Sequence, residues 1–403
     1  MFLLVDMDAF FASVEQAQHP ALRGVPLIVC GDPERRGVVT AASYEARPFG
    51  VHAGMPLDEA RRLCPHALYV EGNPEKYVAV SLALLDLYTR WTPLVEPFSV
   101  DEAFLGLKGL RVTTLEQAKS LAAEVQREIR ERFALPASVG VGPNKLIAKM
   151  AAGLAKPAGI VALSQPDFVA AFAPRPVHEL WGVGEKLSER LAVLGILTIG
   201  DLARAPAGVL ADAFGIIGPQ LSEAAKGEDC TPIVPYYEGV EAKSMGHEVT
   251  LSEDTSDPAQ LNAILLRLSD QVARRMRQEG YVGRVVVLKL RNHRFVTRMR
   301  QKALDRYADE EEILYRVATD LFARLWDRAA VRLLGVSMAS LARRSASPQT
   351  FIFTREQRTT DLRRRVDSLR DRFGEASVVR AATLHRWGSP SHVPFHALRH
   401  RRP

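Results

Sequence analysis

Two adjacent carboxylates, Asp101 and Glu102, stand between apolar runs in the stretch Phe98-Ser99-Val100-Asp101-Glu102-Ala103-Phe104-Leu105. In a regular strand neighbouring side chains point to opposite faces, so the two would diverge. At a tight turn joining two strands, both can be aimed at one point beyond the sheet edge. Carboxylates held that close repel unless a cation lies between them, and hard divalent ions take carboxylate oxygens. A third acid closes the opening run Met1-Phe2-Leu3-Leu4-Val5-Asp6-Met7-Asp8, which reads as a buried strand ending in acid. Asp6, Asp101 and Glu102 together would make a cradle for two Mg²⁺ ions, the device used for in-line phosphoryl or nucleotidyl transfer. An isolated Asp-Glu pair is more often a solvated turn. The chemistry therefore needs support from the rest of the chain.

At 403 residues, the chain is too long for one ordinary core, and two to four domains are expected. Apolar residues at 47% and charged residues at 25% are those of a globular protein. No run approaches the length of a membrane span, and Asp6 interrupts the opening apolar run, so neither a span nor a signal peptide is expected. Cys30, Cys64 and Cys230 lie far apart with no CxxC or Cys/His spacing, which argues against a zinc site or a disulfide framework and fits a reducing cytoplasm. The formal net charge is only +6, but much of the basic excess lies beyond residue 270. That asymmetry points to an anionic partner, nucleic acid before membrane.

The elements that must position the acids follow from periodicity. After the opening strand, a helix is expected over Ala9–Gln18, with Phe11 in its first turn beside the acidic strand end. A short strand follows at Val25–Cys30, then a strand at Val38–Thr40 and a helix beginning at Ala41–Ala46. Further helices are predicted over Leu57–Cys64, Glu75–Arg90, Leu115–Phe133 and Asn144–Leu154, the last with Lys145 and Lys149 one turn apart. Ala137–Gly142 reads as a strand of small residues. From Val177 the composition turns helical, and glycines at Gly182, Gly184, Gly195 and Gly200 between helices suggest a helix-hairpin-helix, whose use is to offer backbone N–H groups to a phosphate. Thr231–Glu241, with Pro232 and Pro235, reads as a linker. Beyond it lies a separate α+β domain of roughly a hundred residues, with helices at Leu261–Gln278 and Glu310–Trp326 and strands at Arg284–Leu290 and Val331–Ser337. Lys289, Arg291, Arg294, Arg298, Arg300 and Lys302 fall in a stretch without an acidic residue, and are expected to form a phosphate-binding face. Leu362, Val366, Leu369 and Phe373 mark one face of an Arg-rich helix, and the last dozen residues are expected to be disordered.

With these residues placed, the chain resembles the Y-family DNA polymerases of the bacterial DinB, polymerase IV-like branch. The resemblance rests on Val5-Asp6-Met7-Asp8-Ala9-Phe10-Phe11, Ala42-Ser43-Tyr44-Glu45-Ala46-Arg47-Pro48-Phe49-Gly50-Val51, Ser99-Val100-Asp101-Glu102-Ala103-Phe104-Leu105, Gly140-Val141-Gly142-Pro143-Asn144-Lys145 and Ala155-Lys156-Pro157. It covers about residues 1–340 and continues more weakly to about 385. It implies an α+β, multidomain right-hand polymerase. A palm with a mixed or antiparallel sheet plus helices would take residues 1–10 and 76–165, and small fingers 11–75. A helical thumb with the helix-hairpin-helix would take 166–230, a linker 231–243, an α+β little finger 244–340 and a tail 341–403. The resemblance also implies a translesion, low-fidelity DNA polymerase working in DNA repair and damage tolerance. Asp6, Asp101 and Glu102 would be catalytic and hold two Mg²⁺, with Met7 contributing its carbonyl. Thr40, Tyr44, Arg47 and Lys156 would hold the incoming deoxynucleoside triphosphate, and Phe11 would be the steric gate against a 2′-hydroxyl. Asp8 is expected to be structural rather than a ligand.

Partners implied are primer-template DNA and a sliding clamp, the clamp engaged by Gln349, Ile352 and Phe353; a monomer is expected. Two departures stand out. Gly106 replaces the acid that usually follows the Asp-Glu-Ala-Phe-Leu block, and Thr350 and Phe351 depart from the usual clamp-binding pentapeptide. The alternative is a catalytically weak or inactive relative that binds DNA and the clamp as an accessory protein. Retention of Asp6, Asp101, Glu102, Arg47 and Lys156 argues against it. A nucleotide cyclase sharing the palm arrangement fails on the paired-glycine helical region and the basic last domain.

Overall fold

The computed structural model describes residues 1–239, 241–344 and 354–383, with the side chains of 354–357 left aside. The described chain divides into two compact units, the second beginning at Glu241. The heart of the first unit is a five-stranded sheet in the order Val95–Pro97, Glu102–Gly106, Phe2–Met7, Ala137–Gly142, Ile160–Ala162. The opening strand is central and antiparallel to both neighbours, which places Asp6 opposite Glu102 and Leu3 opposite Leu105. Leu3, Leu4 and Val5 are all fully buried, so this strand is covered on both faces, as its unbroken apolar run requires. Leu3 and Val5 face a core that includes Leu84 and Leu87 of the Pro74–Trp91 helix and Ala122 and Val125 of the Leu115–Phe133 helix. Leu4, alternating to the other side, meets Phe104 together with Ala148 and Ala152 of the Lys145–Ala155 helix.

That second helix lies very close to its strand because the strand is made of small residues. A Cβ on Gly140 would fall 2.0 Å from the Ala148 carbonyl oxygen, so nothing larger than glycine fits there. The close approach fixes where the helix's lysines stand relative to the acidic strand ends.

A second, three-stranded sheet orders Ala41–Ala42, Leu27–Cys30 and Leu68–Glu71. Here the expectation of a strand at Val38–Thr40 followed by a helix at Ala41–Ala46 is corrected. Ala41 and Ala42 pair with Val29 and Ile28, and Ser43 exchanges hydrogen bonds with Leu27. The chain then turns into a short 3₁₀ helix at Arg47–Phe49. Pro48 has no N–H to continue an α-helix, and Gly50 at φ 85° closes the turn.

Five helices, Gln165–Phe172, Glu185–Val193, Ile199–Arg204, Ala207–Phe214 and Ile217–Ala225, gather around Phe168, Leu191, Leu202, Leu210 and Leu221. Gly182 and Gly195 take positive φ at the two turns of the expected hairpin, and Gly184 precedes the first turn of its helix.

The second unit is a four-stranded antiparallel sheet, ordered Thr297–Ala308, Tyr281–Asn292, Val331–Arg343, Ser244–Thr255. The helices Pro258–Gln278 and Glu311–Leu325 cover one face over a core that includes Leu265, Leu268, Leu288, Leu314 and Val336. The Arg-rich helix, Thr354–Phe373, is present, but its apolar stripe is not what docks it. Leu362, Leu369 and Phe373 are exposed, and the helix is held instead by ion pairs to Arg274, Arg277 and Asp270. Among the described residues no helix is long and apolar enough to cross a membrane.

Candidate active site

The site is built where the central strand's pairing with the Glu102–Gly106 strand ends, its other edge still paired through Asp6 and Met7. Asp6 ends its pairing opposite Glu102, and the Met7 N–H then donates to the Asp101 carbonyl, 2.9 Å. Asp101 sits in the turn between two strands rather than in the strand itself. The turn is closed by the Phe98 and Ser99 N–H groups donating to the Glu102 carbonyl. The two adjacent acids are thus freed from strict alternation, as the sequence required of them. Burial raises the Asp6 pKa to about 6, with the Glu102 charge acting in the same direction. Asp101 is also raised, chiefly by burial, although the Ser99 hydroxyl hydrogen-bonds its carboxylate. Raised carboxylates side by side mean negative charge with too little solvent and too few partners, the condition a bound cation relieves.

Two lysines now supply part of that missing charge. Lys156 Nζ lies 2.8 Å from Asp6 Oδ1. Burial opposes its ammonium, but Asp6, with Asp8 and Tyr44 acting in the same direction, outweighs it and the Lys156 pKa is raised. Lys149 Nζ lies 2.5 Å from Glu102 Oε1 and 4.0 Å from Asp6 Oδ2. Lys149 had no assigned role from sequence. The available signal was a pair of lysines, Lys145 and Lys149, on an otherwise apolar helix; Lys145 is buried against Glu96 at 2.8 Å. The donor set of three carboxylates with the Met7 backbone beside them is all oxygen, and suits a hard divalent ion. As the side chains stand, Glu102 is drawn to Lys149 and Asp101 to Ser99, and no three acidic, histidine or cysteine side chains among the described residues converge on one point.

Beside the acids opens a cleft of about 660 Å³ whose lining includes Met7, Phe11, Thr40, Arg47, Asp101 and Lys156. Six residues singled out from distant parts of the sequence therefore share one space. Phe11 is carried on the first turn of the Phe10–Gln18 helix, which starts abruptly because Ala9 adopts φ 45°, unusual for a residue with a Cβ. Its ring stacks on Tyr77, centroids 4.3 Å apart and 20° between planes. Tyr77 is anchored in turn by donating its hydroxyl to the buried Glu15 at 2.7 Å, and Glu15 pairs with Lys76. Nothing local in the sequence announced this support, because Phe11 and Tyr77 belong to different helices.

Tyr44 and Arg47 stack, with the guanidinium 4.2 Å from the ring centroid, and Arg47 Nε donates to the Ala42 carbonyl. Thr40 donates its hydroxyl to the Val29 carbonyl. Asp8 is fully buried and accepts hydrogen bonds from Tyr44, from the Ser138 hydroxyl and from the Ala158 N–H. Its carboxylate is occupied in joining the Tyr44 loop to the turn that follows Lys156.

The basic residues of the second unit divide between two faces of its sheet. Lys289 and Arg291 pair with Met299 and Thr297 on the face opposite the helices, whereas Arg298 and Arg300 pair with Leu290 and Leu288, whose side chains point to the helical side. Arg294 lies in the connecting turn. Acids absent from the local sequence arrive in space: Glu248 pairs with Lys289 at 2.7 Å, Asp327 with Arg298 at 3.0 Å and Asp320 with Lys302 at 3.5 Å. Arg294 and Arg300 are exposed with no ion-pair partner among the described residues. Gln349, Ile352 and Phe353 lie outside the described residues.

The geometry defines a class, and comparison with known proteins names it. The impB/mucB/samB family matches residues 5–153 and its C-terminal domain matches residues 242–351; the chain belongs to this family. Among curated relatives, DNA polymerase IV of Moorella thermoacetica is 41% identical over 385 residues, covering 95% of this chain and 96% of its own. DNA polymerase IV of Pelotomaculum thermopropionicum is 42% identical over 388 residues, covering 95% of each. A solved Y-family DNA polymerase chimera superposes with a TM-score of 0.75 at 27% identity, over 85% of this chain and 99% of its own. The fold is accordingly the α+β, right-hand architecture with an appended little finger that the sequence motifs implied.

Proposed function

We propose that this chain is a template-directed DNA polymerase of the translesion type, acting on primer-template DNA and deoxynucleoside triphosphates. One observation carries this reading: Asp6 and Glu102 face each other across the central strand pair, with Asp101 in the adjoining turn, at the mouth of a cleft that holds Phe11, Arg47 and Lys156. Divalent-metal dependence goes with the family; our finer reading is two Mg²⁺ ions held by Asp6, Asp101, Glu102 and the Met7 carbonyl. Such ions supply activation of the primer 3′-hydroxyl and neutralisation of the triphosphate charge. The chain's own residues do the rest. Arg47 presents a fork of donors that can engage two phosphate oxygens, and Lys156 adds a point charge. Tyr44 and Thr40 border the same triphosphate path. Phe11, backed by Tyr77, occupies the volume that a 2′-hydroxyl would need.

Within this reading the palm comprises residues 1–10 and 76–165, the fingers 11–75, the thumb 166–230 and the little finger 244–340, with 231–243 as linker. Lys289, Arg291, Arg294, Arg298 and Arg300 track the duplex backbone. Gln349, Ile352 and Phe353 engage a sliding clamp, and the enzyme works in the cytoplasm as a monomer.

Primer extension tests the reading directly. Asp101→Ala and Glu102→Ala are each expected to lower extension by on the order of a thousandfold or more, with DNA binding retained, since charge stabilisation at the reacting phosphate is lost. Nucleotide addition at near-parental rates by either variant would overturn it.

A further inference from the structure

The helix Lys145–Ala155 carries one charged side chain directly into the acidic cluster. Lys149 Nζ is 2.5 Å from Glu102 Oε1 and 4.0 Å from Asp6 Oδ2, so a single ammonium spans the two acids that face each other across the central strand pair. The side chain is largely enclosed, about one-fifth exposed, and Glu102 is less exposed still, which limits solvent screening of the pair. The helix cannot back away from the sheet without losing the contact that Gly140 permits with Ala148. Lys149 also lies 5.6 Å from the centroid of the Phe98 ring, so a second resting place for the cation is already within reach.

We propose that Lys149 is a built-in counter-cation: it holds Glu102 while the site is free of metal, and moves off toward Phe98 when a divalent ion takes that carboxylate. Lys149 is then a positioning residue that acts through Glu102 and sets how tightly the site binds metal. The argument is one of competing charges. An ion entering between Asp6 and Glu102 must displace the ammonium from Glu102 and then tolerate its positive charge nearby, and both effects weaken metal binding. In exchange, the metal-free enzyme avoids leaving Glu102 without a counter-charge opposite Asp6, whose own carboxylate is held by Lys156. Lys156, paired with Asp6 Oδ1 and lining the triphosphate cleft, has no contact with Glu102 and cannot substitute for it. The proposal rests on the reading of Asp6, Asp101 and Glu102 as the metal site.

Binding of Mn²⁺ to the full-length, DNA-free protein, followed by the electron paramagnetic resonance signal of the free ion, provides the test without any turnover. Lys149→Met keeps the length and removes the charge. It is expected to bind Mn²⁺ about three- to tenfold more tightly than the parent, as loss of one partly buried ion pair allows. Its melting temperature in EDTA should fall below the parent's, while its stabilisation by added Mg²⁺ should exceed the parent's. Lys149→Arg should restore parental affinity. Lys149→Gln serves the same purpose as Met should the apolar side chain impair folding. Affinity unchanged or weakened in folded Lys149→Met or Lys149→Gln overturns the proposal alone, provided that Asp6→Asn abolishes the parent's binding. If the Asp6→Asn variant binds Mn²⁺ as the parent does, the metal-site reading falls, and the proposal with it.

Discussion

At the scale of single residues, the site is a set of groups held away from their ordinary chemistry. Asp6 titrates near 6 because burial and the Glu102 charge disfavour its carboxylate. Its pKa is thus above the unfolded value, and between about pH 4 and 6 the folded chain binds the extra proton. The linked stability is fully present below the unfolded pKa and is lost as the pH rises through 6. In EDTA, Asp6→Asn is therefore expected to gain stability over the parent between pH 5 and 7.5, by about 1–3 kcal/mol. Thermal unfolding of both proteins across that range measures it. Added metal should reverse the sign, with apparent ion affinity weakening as the pH falls below about 6. Phe11 offers a second residue-scale test, since its ring is set by its neighbour. Tyr77→Leu removes the stacked support and should raise ribonucleotide incorporation relative to deoxyribonucleotide, though less than Phe11→Ala does. Tyr77→Phe keeps the ring and leaves the buried Glu15 short of a donor. It should cost about 1–3 kcal/mol of stability with sugar discrimination intact. Single-nucleotide insertion kinetics with both sugar types, beside a denaturant curve, separates the two.

At the scale of elements, charge attaches what apolar packing does not. The Thr354–Phe373 helix follows the segment matched to the family's C-terminal domain, and it meets the rest of the second unit through ion pairs. Arg274 is 4% exposed and contacts Asp367, Asp371 and Glu375, while Arg277 bridges Asp367 to Glu311. Asp371 and Glu375 are well exposed, so those contacts are partly screened and worth less than a buried pair. Arg274→Ala is expected to weaken docking of this helix by about 1–3 kcal/mol, the range between exposed and buried pairs. Amide hydrogen exchange should quicken across residues 358–373 and stay unchanged in the Leu115–Phe133 helix. Raising the salt concentration should act in the same direction on the parent. Equal exchange in variant and parent would mean that the helix is held by something other than this network.

At the scale of the whole molecule, basic side chains are concentrated on the second unit and the acidic cluster of Asp6, Asp101 and Glu102 lies in the first. The excess of arginine and lysine beyond residue 270 overstates the free charge, because Lys289, Arg298 and Lys302 have acidic partners. Counterion release scales with phosphates neutralised, so the unpaired cations should dominate. Arg294→Ala and Arg300→Ala are each expected to weaken duplex binding across all sequences and to lower the salt slope by about one unit. Arg298→Ala should change it less, since Asp327 already answers its charge. Binding isotherms at several salt concentrations measure this. A loss confined to particular sequences would point to base recognition instead.

The sequence alone determined the elements that depend on strong local patterning. The Leu115–Phe133 helix and the Ala137–Gly142 strand lie where their periodicity and small-residue run place them, and the acids of the opening run and of the Asp101-Glu102 turn fall at the ends of the strands expected to carry them. The motif blocks further implied which family, and hence which cleft, those acids serve. Tertiary structure decided whatever depends on partners distant in the chain. Ala41 and Ala42, strong helix formers, became a strand because Ile28 and Val29 offered backbone partners. The strands Leu68–Glu71 and Ile160–Ala162 are too short to announce themselves, and exist because a neighbouring strand left an edge to be paired. The stack of Phe11 on Tyr77, the capture of Glu102 by Lys149 and the acids opposite Lys289 and Arg298 are of the same kind. A side chain's charge and shape are written locally, but what neutralises or supports it is set by which distant segment the fold brings within a few ångströms.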